Sequence, residues 1–94
     1  MIKDINECRK RIDEIDDKLI ELFEERMDIA VSVAKYKREN NLPIFNKERE
    51  DFVIEKNLSK IKNEAIKEYG EKMLHFLMDL SKDYQKSLDD KGKR

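Results

Sequence analysis

Residues 25–37 read ERMDIAVSVAKYK, and within them Arg26, Ala30, Val33 and Lys37 follow a four, three, four spacing. On a helix that spacing puts all four on one face. Two long cations then bracket two small apolar residues, about 16 Å apart along the axis. Both cations can lean over a floor too small to fill the gap. An arginine set against apolar neighbours is costly unless an anion pairs with it. Two occupants satisfy that need: a carboxylate of the chain itself, or an anionic ligand lying between the cations. The plain alternative is that the stems cover apolar surface while the charged heads reach water.

Other residues extend the set. Arg9 precedes Arg26 by 17 positions, which is about 25 Å on a continuous helix. One small ligand cannot touch both from the same chain, whereas Arg9 of an antiparallel partner can reach it. In NKERE, Arg49 and Glu50 stand shortly after the loop that follows Lys37. Glu50 can accept a hydrogen bond from a ligand hydroxyl, and Arg49 can hold it or another carboxylate in place. A first-turn acid is also common because it favours the helix dipole. In SKDYQ, Ser81 and Gln85 are spaced i, i+4, two uncharged donors beside an apolar seam. Alone they read equally well as a solvated boundary. The sequence holds no nucleophile–base pair, phosphate-binding glycine loop or metal motif, so any catalysis must come from positioning and fixed charge.

The elements that would carry these residues are helices. Asp4 followed by Glu7 resembles a capping box. Ile5, Cys8, Ile12, Ile15, Leu19 and Leu22 then recur in the three-and-four spacing of a coiled-coil seam, continued by Arg26, Ile29, Val33 and Tyr36. ENNLP closes the run through Asn40, Asn41 and Pro43. The first helix is thus expected over about 5–39, a rod of roughly 50 Å. A second is expected over 47–62, with Asn46 as N-cap and Phe52, Val53, Leu58 and Ile61 as a partial apolar face. A third is expected over 64–88, with Ile66, Gly70, Met73, Leu77, Leu80 and Tyr84 at heptad-like spacing. Residues 89–94 read as a frayed tail. Two shorter helices cannot easily cover so long a rod, so a homodimer with paired long helices is expected. The alternative is a monomeric three-helix bundle with a bent first helix.

Composition bounds the rest. The chain has 94 residues, enough for one small domain. Charged residues make up 46 %, but 21 cations against 22 acids leave a net charge of −1. That balance argues against a general nucleic-acid or membrane-surface binder. A single cysteine, Cys8, excludes an intrachain disulfide, and with the lone His75 a His/Cys metal site is not expected. With no signal-peptide pattern or long apolar run, the expectation is a cytoplasmic protein.

Arg9 in CRKRIDEID, Arg26 and Lys37 in ELFEERMDIAVSVAKYK, LPIFNKERE and the late SKDYQ together resemble the all-helical class of chorismate mutase. The resemblance spans residues of about 5–88. It implies an all-α intertwined homodimer of three-helix chains, with each active site built from both subunits. It also implies conversion of chorismate to prephenate, a cofactor-free Claisen rearrangement on the route to phenylalanine and tyrosine. Carried over by position, Arg26 and the partner's Arg9 would clamp the two substrate carboxylates. Lys37 and Gln85 would donate to the ether oxygen, Glu50 would bind the ring hydroxyl, and Ser81 would contact a carboxylate. Arg49 would support them. Asn46 stands where the family often has Asp, which leaves its backbone as the contact to the hydroxyl. Lys82 is more polar than the apolar wall residue of some relatives. Two other functions fit the same fold: an isochorismate pyruvate lyase, and a non-catalytic helical dimerisation module.

Overall fold

The computed structural model describes residues 4–92, with side chains through Asp89. Its order is α1 (Ile5–Glu39), α2 (Lys47–Leu58), a short 3-10 turn (Glu64–Ile66) and α3 (Lys67–Gly92). The all-helical architecture is the expected one. Asp4 caps α1, its Oδ1 accepting the Asn6 N–H at 3.2 Å. The 35 residues of α1 need about 52 Å if straight, and the molecule measures 53 Å along its longest axis. The first helix therefore runs as a rod and does not fold back, against the bent-bundle alternative.

The end of α1 is set by local chemistry. Asn41 takes a left-handed φ of 55°, a conformation Asn tolerates better than most residues. The Asn41 N–H then donates to the Arg38 carbonyl at 3.3 Å, and the Leu42 N–H donates to the Lys37 carbonyl at 2.8 Å. This is a Schellman closure, which satisfies carbonyls that a helix end leaves free. The chain turns sharply just past Lys37 and starts α2 at the Asn46 cap, whose side chain accepts the Arg49 N–H at 3.1 Å.

Packing runs through α3. It contacts both α1 and α2, and among the described residues α1 and α2 do not pack on each other. The core is small: Ala30 and Ala34 of α1 with Leu74 and Met78 of α3 are the buried apolar residues. That corrects the expected register of α3. Met73 is 54 % exposed and Ile66 48 %, while Leu74 and Met78, one position on, face inward. α2 also stops at Leu58, short of 62, and Phe52 on its expected apolar face is exposed. Helix α3 continues to Gly92, so residues 89–92 of the expected tail are helical, and 93–94 lie outside the described residues. Gly70 costs helix stability, but a Cβ there would collide with the Ile61 side chain. Its lack of a side chain lets the α2–α3 connection lie against α3. No helix is long and apolar enough to cross a membrane, among the described residues.

Candidate active site

Where α3 holds α1 and α2 apart, a cleft of about 280 Å³ opens between the three helices. Its α1 wall is the face singled out in the sequence: Arg26, Ala30, Val33 and Lys37 all line it. The loop and α2 contribute Ile44, Asn46, Arg49, Glu50 and Val53, and α3 contributes Met78, Ser81, Lys82 and Gln85. Four of these residues are cations (Arg26, Lys37, Arg49, Lys82) and one is an acid, Glu50. A site so charged favours a small anion, and burial strengthens each interaction by excluding water.

Lys37 is fixed by the turn that follows it. Its Nζ donates to the Ile44 carbonyl at 2.6 Å, leaving two further N–H donors to serve a ligand. Partial burial pushes its ammonium below the ordinary lysine value, and the negative charge of Glu50 opposes that shift. Arg26 is half-buried on the same face. Arg49 lies with its guanidinium 5.4 Å from the centre of the Phe52 ring, a cation–π contact that restricts the arginine.

Gln85 is the deepest polar residue of the cleft, 4 % exposed. Its Nε2 donates to Ser81 Oγ at 3.1 Å, one helical turn away, and a second N–H remains free. Its Oε1 is buried without a hydrogen-bond partner. Leaving such a group unpaired costs about 1–3 kcal/mol. Of the pair that looked like a boundary in the sequence, Gln85 is thus interior and Ser81 is half-buried.

Glu50 and Lys82 form an ion pair, Nζ to Oε2 3.0 Å, with each side chain 21 % exposed. Lys82 also stands 4.8 Å over the Phe45 ring. The hydrogen bond to Glu50 raises the Lys82 ammonium above the ordinary lysine value, against the effect of burial. Asn46 lines the cleft with its side-chain oxygen engaged as the α2 cap, which leaves its amide nitrogen and its backbone for contact with a ligand.

Arg9 is the one site candidate outside the cleft. It is exposed on α1, about 25 Å along the helix from Arg26. The apolar walls formed by Ile29, Ile44, Val53 and Met78 were not read as part of a site in the sequence, because branched and apolar residues are equally frequent in ordinary cores. The Ile44 carbonyl that receives Lys37 leaves no side-chain signal at all.

The family model for chorismate mutase type II matches residues 8–86. The chain is 36 % identical over 87 residues to the chorismate mutase of Methanocaldococcus jannaschii, covering 92 % of this chain and 88 % of that protein. It is 39 % identical over 57 residues to a bifunctional chorismate mutase/prephenate dehydratase of Aquifex aeolicus, covering 61 % of this chain and 16 % of that longer protein. No solved structure gives a significant match. Both the matched span, which takes in every residue of the cleft, and the relatives lead to one conclusion: the chain belongs to the chorismate mutase type II family.

Proposed function

We propose that the cleft between α1, α2 and α3 is where this enzyme rearranges chorismate to prephenate, and that it works as a homodimer. The observation that carries the reading is the cleft's charge: four cations and one carboxylate, with a buried amide among them. Chorismate is a dicarboxylate ether with a ring hydroxyl, so it supplies two anions, one weak acceptor and one donor. In the rearrangement the C–O ether bond breaks as a C–C bond forms, and negative charge builds on the ether oxygen. No proton need be transferred and no covalent link to the protein formed. The protein's contribution is to hold the compact reactive shape and to place donors at that oxygen.

In this reading Lys37 and Gln85 donate to the ether oxygen, Lys37 with its unspent N–H groups and Gln85 with its free amide hydrogen. Arg26 grips one carboxylate bidentately, and Ser81 adds a contact to a carboxylate. Glu50 accepts from the ring hydroxyl, helped by the Asn46 backbone. Arg49 buttresses this end. Arg9 of the partner subunit supplies the second carboxylate clamp. The seam of Ile5, Ile12, Ile15, Leu19 and Leu22, each about half exposed, supports the dimer, because covering the remaining half of such a side chain stabilises by about 1 kcal/mol. The reading also carries a cytoplasmic location and a place in phenylalanine and tyrosine synthesis.

The test is formation of prephenate from chorismate by the purified chain, with isochorismate as a second substrate. Release of pyruvate from isochorismate with no prephenate from chorismate would replace the mutase by a lyase. Mixing inactive Arg9→Ala and Lys37→Ala proteins tests the shared site. Each mixed dimer has one site with both lesions and one with neither, so re-equilibrated equal amounts regain about a quarter of wild-type sites. Absence of recovery after subunit exchange would place Arg9 outside the partner's site.

A further inference from the structure

Lys82 is the cleft residue whose part in the site is still unexplained. It comes from α3, yet its Nζ reaches Glu50 in the first turn of α2 at 3.0 Å and stands 4.8 Å from the centre of the Phe45 ring in the preceding loop. Asp79 is a second acidic neighbour at 3.5 Å, but its side chain is 66 % exposed and largely solvated. The pairing with Glu50 is the more enclosed of the two, and enclosed charge pairs are less screened by solvent and salt.

Glu50 has two lysines within its influence. It acts on Lys37 across the cleft through its charge, without a hydrogen bond, and it bonds directly to Lys82. A carboxylate free to choose would pair with Lys37, which would withdraw donors from the ligand. The Lys82 bond occupies Oε2 and leaves Oε1 to accept from a hydroxyl. Lys82 also offsets the repulsion that a dianionic ligand meets from Glu50.

We infer that Lys82 is a positioning residue of this mutase: it holds the Glu50 carboxylate at the hydroxyl end of the cleft and keeps it from capturing Lys37. The inference rests on the reading of the cleft as the chorismate site and adds to it a residue that acts through another.

A double-mutant cycle at neutral pH tests it, using prephenate formation by the intact protein with Lys82→Met, Glu50→Gln and the double variant. Methionine keeps an unbranched side chain of similar reach and removes the charge, and with it both the Glu50 pair and the cation–π contact to Phe45. Lys82→Met is expected to lower kcat/KM about tenfold, with kcat falling as well as KM rising, because released Glu50 engages Lys37. In the Glu50→Gln background the same change is expected to matter less than about twofold. Lys82→Arg, which preserves the ion pair, is expected to retain most of the activity. Losses that simply multiply in the double variant, or a Lys82→Arg protein as impaired as Lys82→Met, would overturn the inference. Wild-type kcat/KM in Glu50→Gln alone would instead remove Glu50 from the hydroxyl. In that event a defect of Lys82→Met that Glu50→Gln reverses still supports protection of Lys37, and no defect refutes it.

Discussion

The two halves of α1 carry the same apolar spacing in different surroundings. In the first half the seam residues Ile5, Ile12, Ile15, Leu19 and Leu22 stand between 42 and 59 % exposed. From Ala30 onward the helix packs on α3, Ala30 and Ala34 are 5 and 3 % exposed, and Arg26 and Lys37 turn into a cleft. Periodicity alone does not distinguish the halves. What differs is residue size: small side chains let α3 approach and leave room for a ligand, whereas Ile and Leu in the first half offer area to another helix. In the proposed dimer the second half of α1 lines the cleft and the first half carries the seam together with the Arg9 lent to the partner's site, so lesions in the two halves should fail in different ways.

The sharpest separation comes from Lys37→Ala. Loss of a donor at a developing oxyanion costs about a hundredfold to a thousandfold, so kcat/KM should fall by about that much. Sedimentation should show an unchanged dimer. Near-normal turnover would take Lys37 out of the site.

Leu19→Glu should do the reverse. A buried charge in a seam is costly, so the dimer should weaken, activity should fall on dilution by about tenfold or more, and concentrated protein should recover it. Activity independent of concentration, with a monomeric mass, would erase the distinction between the halves.

The smallest effect lies in the pH profile. Burial lowers the Lys37 ammonium in the free enzyme, so the alkaline limb of kcat/KM should fall below the ordinary lysine range as the donor's charge is lost. Glu50 raises that same group, so Glu50→Gln should move the limb further down. A limb that stays put or rises would show that another group controls it.

Much of this was legible in the residues themselves. Asp4 and the Asn40–Asn41 pair bound α1 because capping chemistry is local, and Arg26 and Lys37 share a wall because helical spacing dictates it. The register of α3 was not legible. That helix carries Leu74 and Met78 on one side and Met73 and Phe76 on another, 54 and 63 % exposed for the latter pair. A hydrophobic pattern tells that both faces want cover, not which belongs to the same chain. Lys82 was visible only as a polar departure, since its meaning depends on a carboxylate 32 positions earlier that only the fold brings beside it. Gln85 read as a boundary residue for a similar reason: depth is a property of three helices together.

Because α1 and α2 meet only through α3 and the loop at 40–46, the cleft has the mechanics of a pair of tongs hinged on one bar. A small tilt of α2 would change the width of the gap and carry Glu50 with it, while the exposed seam at the far end of α1 felt nothing. The width of the gap is thus set within one chain, whereas in the proposed dimer the partner's Arg9 ties the far side of the same site to assembly.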